Sequence, residues 1–160
     1  MPFRFFHERF PKLGERETRS VTVMPGSDTG LPSDEYGFLE MYCDEPGCDC
    51  RRVFLFVMGK QQGGPLAVIA WGWEELSLYR DWLGGDDDEA ARQMQGPELN
   101  MGSPETEHSP KLLELATDML LSDPAHVERI KRHYHMFRED VEGQRRPRRG
   151  PPKQRKRRRR

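Results

Sequence analysis

Tyr36-Gly37-Phe38-Leu39-Glu40-Met41-Tyr42-Cys43, then Asp44-Glu45-Pro46-Gly47-Cys48-Asp49-Cys50, then Arg51-Arg52-Val53-Phe54-Leu55-Phe56-Val57-Met58 is the stretch from which the fold is read. Two runs rich in aromatic and β-branched residues flank a short polar segment, and Pro46-Gly47 is a turn pair, since Pro presets φ and Gly accepts φ > 0. A β-hairpin follows. In its first strand Tyr36, Phe38, Glu40 and Tyr42 share one face, with Leu39, Met41 and Cys43 on the other. The second strand, Val53 to Met58, is apolar without interruption and predicts burial on both faces.

The tip of this hairpin holds every cysteine of the protein: Cys43, Cys48 and Cys50 within eight residues. Three converging thiols suit a soft or borderline cation, and Zn²⁺ prefers tetrahedral sulfur and nitrogen ligands. Cys48 and Cys50, at i and i+2 of an extended start, can face the same way. A structural Zn²⁺ needs a fourth ligand, for which the chain offers His7, His108, His126, His133 and His135. His133 is the first choice, placed near the middle of the last helix and able to face the sheet. His7 is the second, held by the aromatic residues around it, and Asp44 and Asp49 are possible oxygen ligands. Two other readings of the cluster stand beside the metal: a reactive thiol site, and cysteines that serve as small buried hydrophobes.

Outward from the hairpin, Ser20-Val21-Thr22-Val23 alternates and predicts a strand, and Leu66 to Trp71 predicts another after the turn Gly63-Gly64-Pro65. Four strands on short connections argue for an antiparallel meander. Phe3, Phe5, Phe6 and Phe10 are expected to anchor the N-terminal segment against the body. Helices are expected from Glu74 to Leu83, closed by Gly84-Gly85, and after the acidic run Asp86 to Glu89. Residues 96–110 read as a loop. Ser109-Pro110 and Asp123-Pro124 each form an N-cap and N1 pair, opening helices to about Leu121 and Val141. In the last of these Val127, Ile130, Tyr134, Phe137 and Val141 form one apolar stripe, flanked by His126 and His133, with His135 pointing away. The fold class is therefore α+β: an antiparallel sheet of about four strands packed by C-terminal helices, in a domain over residues 1–142.

The formal net charge of −1 over 160 residues conceals two parts. Residues 143–160 carry eleven Lys and Arg and no acid; removing them from the chain's 26 basic and 27 acidic residues leaves 1–142 with 15 basic and 27 acidic side chains, a formal net of −12. The tail has no apolar residue and is expected to be disordered. Arg145, Arg146, Arg148, Arg149, Lys153, Arg155, Lys156, Arg157, Arg158, Arg159 and Arg160 give it the electrostatic footprint of a polyanion binder, with RNA or DNA as partner. It contains no aromatic ring to stack on bases, so any such contact is sequence-tolerant. Folding back onto the acidic body is the competing role.

No apolar run approaches the roughly 18 residues of a membrane span, the N-terminus lacks a signal-peptide pattern, and three clustered cysteines are no disulfide framework. These features fit a reducing cytoplasm. Catalysis is not supported: there is no G-x-S-x-G, P-loop or Rossmann pattern, and the cysteines do not match the H-x-E plus P-C-x-x-C of zinc deaminases. The expectation is a non-enzymatic, zinc-stabilised binding protein that contacts nucleic acid through its tail. The alternatives are a protein-interaction module with an acidic working surface and a zinc-dependent hydrolase.

The run Glu35 to Cys43 with Cys50-Arg51-Arg52-Val53 resembles a family of uncharacterised bacterial proteins, and Arg132-His133-Tyr134-His135-Met136-Phe137-Arg138 resembles that family's closing helix. Some members end in a small zinc-binding SEC-C module, with a C-x-C and a terminal cysteine pair. The tail of this chain has no cysteine, so that module and its function are not implied. The resemblance implies metal at Cys43, Cys48, Cys50 and His133, and supplies no activity.

Overall fold

The computed structural model describes residues 2–145. In chain order the elements are β1 (Phe3–Phe5), α1 (Phe6–Arg9), α2 (Pro11–Glu17), β2 (Arg19–Val23), β3 (Asp34–Cys43), β4 (Arg52–Gly59), β5 (Gly63–Gly72), α3 (Leu76–Trp82), α4 (Asp88–Gln95), β6 (Glu98–Leu99), α5 (Ser109–Ala116), a π-helical turn (Thr117–Leu121) and α6 (Pro124–Arg145).

The α+β class holds, but the antiparallel sheet has six strands rather than about four, in the order β1-β3-β4-β5-β6 with β2 also on β3. The two extra strands are short. Phe3–Phe5 pairs with the Cys43 end of β3 while Arg19–Val23 pairs with its Asp34 end, so β1 and β2 share one edge of a single ten-residue strand. Glu98–Leu99 adds two residues to β5 inside the stretch expected to be loop. Neither three residues nor two carry a readable period.

The alternation in the first hairpin strand is as its sequence requires. Tyr36, Phe38, Glu40 and Tyr42 are buried on the inner face, beside Val53, Leu55 and Val57 of β4 and Ala67 and Ile69 of β5. The stripe Ile130, Tyr134, Phe137 and Val141 of α6 covers that face together with Leu112, Ala116 and Leu120. The expectation of burial on both faces of β4 is corrected: Phe54 and Phe56 are half-buried and Met58 is 36% exposed. The N-terminal strand covers two of them: Phe3 stacks on Phe54 at 3.8 Å between centroids and Phe5 meets Phe56 edge-on. The N-terminal phenylalanines do anchor the segment, Phe6 being buried against Phe10, Tyr42 and His133.

Of the helix starts expected from the acidic run and the two Pro pairs, two are capped by a side chain and one is not. Asp87 accepts from the Ala90 amide and Asp123 from that of Ala125. Ser109 is not an N-cap: it is the first residue of α5, and its hydroxyl donates to Leu66 O and accepts from the Thr106 amide. The last helix passes Val141 and the proposed boundary at residue 142, ending at Arg145. Gly143 is therefore helical despite its low propensity, and Arg145, expected in the tail, is the last helical residue. The other ten residues assigned to polyanion binding, Arg146 to Arg160, lie outside the described residues. Among the described residues no helix is long and apolar enough to cross a membrane.

Candidate metal centre

The tip of the hairpin between β3 and β4 is a tight turn. Cys48 N donates to Glu45 O at 3.2 Å across Pro46-Gly47, and Gly47 sits at φ +78°, where a side chain would be strained. This turn reverses the chain within three residues of Cys43 and returns Cys48 and Cys50 to it. All three cysteines are free thiols, and their sulfurs lie within 4.8 Å of one another. A tetrahedral Zn²⁺ at about 2.3 Å from each sulfur sets them roughly 3.8 Å apart, so small side-chain rotations complete the approach. Cys43 and Cys50 are buried against Phe3, Met41 and Phe54, while Cys48 is half-buried.

The three thiols share protons. The hydrogen bond from Cys50 is the largest influence on Cys43 and, with the Glu45 amide and Arg138, holds it at about 6, well below an ordinary thiol. Burial and the neighbouring sulfur charge push Cys48 up, and the hydrogen bond to Cys43 together with burial pushes Cys50 up further. The directions oppose because one negative charge is comfortable among three sulfurs and a second is not. A cation at their centre removes that conflict, since metal ligands bind deprotonated. The donor set therefore fits a thiophilic metal, and the cluster can hold one.

Helix α6 grips the tip with three residues one turn apart. Tyr134 donates to Asp49 Oδ1 at 2.9 Å and accepts from the Arg51 amide at 3.1 Å. Arg138, buried, donates to Cys43 O at 2.7 Å, Glu45 O at 2.9 Å and Glu142 Oε1 at 2.8 Å. Glu142 in turn accepts from the Gly47 amide at 2.6 Å. Arg51 is the one non-glycine residue with positive φ among those described, at +48°, and its carbonyl accepts from Tyr79. Backbone strain and ordered partners thus coincide at this tip. Sequence reading placed Tyr134 on the core stripe but missed Arg138 and Glu142, whose i, i+4 spacing beyond Tyr134 is the signal that was available.

His133, expected as the fourth ligand, is not among the residues whose ligand atoms converge with the cysteines. Its ring is buried, but it faces the body of the sheet: Nδ1 lies 2.5 Å from Glu40 Oε2 and Nε2 lies 2.8 Å from Glu17 Oε2. Both nitrogens are engaged, and Glu40 is three residues from Cys43 along β3, roughly 10 Å at the strand rise. Tyr134, the next residue of α6, reaches the tip; His133, about 100° round the helix from it, faces Glu40 and Glu17 instead. Burial pushes the Glu17 carboxyl up, but His133, Arg132 and Arg129 outweigh it and hold the group below the usual carboxylate range. His7 lies beside α2 at Gly14 and Leu39. Among the described residues, the cluster of close ligand atoms comprises the three cysteines alone, without His7, Asp44 or Asp49. Asp49 is instead taken by Tyr134 and Arg51, and Asp44 by Arg4.

His126 is the second buried histidine on α6. Neither ring nitrogen has a partner, nor does Glu40 Oε1, among the described residues. Burial holds its pKa below the ordinary histidine value.

No protein-family model matches the chain, and no curated protein or solved structure matches it.

Proposed function

We propose that this protein is a non-enzymatic binding protein whose hairpin tip is stapled by one Zn²⁺ on Cys43, Cys48 and Cys50, and whose basic C-terminal segment contacts RNA or DNA. The observation that carries the metal is the convergence of three free thiols within 4.8 Å, one of them already inclined to ionise. Zinc is favoured because it takes thiolate sulfur in tetrahedral sites and has no redox chemistry of its own. Bound there, the ion supplies folding energy to the β3–β4 connection. This protein's own residues supply the rest: Phe3 and Phe54 wall the sulfurs off, and Arg138 with Glu142 fixes the loop. The nucleic-acid part is supported by charge, eleven cations without an acid in residues 143–160. Arg145, at the helix end, sets the start of that segment on the same helix that grips the metal loop.

Metal content of reduced, untagged protein tests the first part: about one zinc per chain is expected, lost in Cys48→Ser and kept in His133→Ala. Protein that binds no zinc at equimolar supply refutes it. An electrophoretic shift of single-stranded RNA and duplex DNA tests the second. It should weaken steeply with salt and vanish when residues 146–160 are removed. A shift that survives the truncation moves binding to the body.

A further inference from the structure

Arg52 is a buried charge that makes no ion pair among the described residues. It lies on β4 two residues past Cys50, is 6% exposed, and rests its guanidinium over the Phe54 ring at 5.3 Å. Its one hydrogen bond among the described residues is from Nε to Met94 O, at 2.9 Å. The acids near its strand end are committed elsewhere: Asp49 and Glu74 both pair with Arg51. Arginine keeps its proton, and the two terminal nitrogens make no hydrogen bond to another described residue yet are not among the sealed, unpartnered polar atoms, so an anion arriving from solvent can reach them.

Arg52 lines a cleft of about 480 Å³ between β4, β5, α4 and β6. That size is within the range of small-molecule sites. Ala70, Leu83, Met94 and Leu99 give the cleft an apolar wall, and Asn100 adds a polar group on the β6 side. Glu89 and Glu98 line it as well. Two acids disfavour a ligand with a second negative charge, and they leave room for one only on Arg52.

We propose that this cleft binds a small monocarboxylate with an apolar body, the carboxylate docking on the free side of the Arg52 guanidinium and the body lying along Leu99, Met94 and Leu83. The planar fork of arginine matches a carboxylate with two parallel hydrogen bonds. The site is separate from the hairpin tip and does not depend on zinc. The competing role for Arg52 is counter-charge to the cysteine cluster: burial lowers its pKa, and the nearby Cys50 sulfur acts against that.

Heteronuclear NMR of the full chain, titrated with phenylacetate and isovalerate, separates the two. Saturable shifts are expected at the Arg52 Nε–H and at the Met94 and Asn100 amides. The neutral analogues phenylacetamide and isovaleramide should bind at least about tenfold more weakly, because they lack the charge-assisted pair. Inorganic phosphate should leave these signals in place. Arg52→Gln should lose the carboxylate response while its zinc content stays that of the wild type. Equal affinity for acid and amide, an equal response to phosphate, or no shift up to about 10 mM ligand overturns the proposal. So does an Arg52→Gln protein that keeps the carboxylate response. The acid–amide comparison uses the wild-type protein and stands even if that variant does not fold.

Discussion

Arg138→Met removes the clamp on the hairpin tip while keeping the aliphatic stem that packs beneath it. The side chain makes two bonds to carbonyls, Cys43 O and Glu45 O, and one to the Glu142 carboxylate. Hydrogen bonds to a charged donor contribute about 1.5–3 kcal/mol each. The ion pair with partly exposed Glu142 adds only about 0.3–0.5 kcal/mol, as for other i, i+4 pairs. Losing both carbonyl bonds therefore costs about 3 kcal/mol or more. With a urea m-value of about 1–3 kcal/mol/M, the unfolding midpoint should fall by about 1–3 M. Glu142→Gln is the control, because an amide oxygen still accepts from Gly47 N, and it should cost well under about 1 kcal/mol. Hydrogen exchange at Gly47 and Cys48 should quicken in Arg138→Met, and zinc affinity measured against a chromophoric chelator should drop by about 10–100-fold, as for other residues that orient metal ligands. A destabilisation below about 1 kcal/mol, or one matched by Glu142→Gln, would refute the idea that α6 organises the tip through this arginine.

Three further outcomes follow from the buried polar residues and one close approach. His133→Ala should retain its zinc yet lose about 3–5 kcal/mol in chemical denaturation, since it strips the buried Glu40 carboxylate of its ring partner; loss of zinc with unchanged stability would restore the histidine as a ligand. His126 is buried neutral with its pKa depressed, so between the unfolded value near 6.5 and its lower folded value the unfolded chain holds the extra proton. Stability should accordingly fall as pH drops below about 6.5, by up to about 1.4 kcal/mol per pH unit from this group. His126→Leu should flatten that slope in Tm measurements from pH 7 to pH 5 and, by removing two unpartnered nitrogens, gain about 1 kcal/mol at pH 7; an unchanged slope would show that other groups set it. Gly72→Ala places a Cβ 2.0 Å from Tyr79 Oη and should destabilise by about 2 kcal/mol or more, while shifting the Arg51 carbonyl that Tyr79 holds; a neutral Tm would mean that Tyr79 moves aside freely.

What the sequence determined by itself was whatever has a short period or a local cause. Alternation placed Tyr36, Phe38, Glu40 and Tyr42 on one face, the 3.6-residue stripe placed Ile130, Tyr134 and Phe137 on another, and Pro46-Gly47 bent the chain between Cys43 and Cys48. The convergence of the three thiols was legible for the same reason, since eight residues and one turn leave the sulfurs few places to go. Tertiary structure decided how far along β3 the last helix sits, a distance that no periodicity encodes. Because α6 presents Tyr134, Arg138 and Glu142 to the hairpin tip, His133, about 100° round the helix from Tyr134, is turned to Glu40 and Glu17 instead of the cysteine site. Arg52 was beyond sequence reading on the same grounds: its isolation comes from Asp49 and Glu74 being drawn to Arg51, a competition between side chains that only the folded chain brings together.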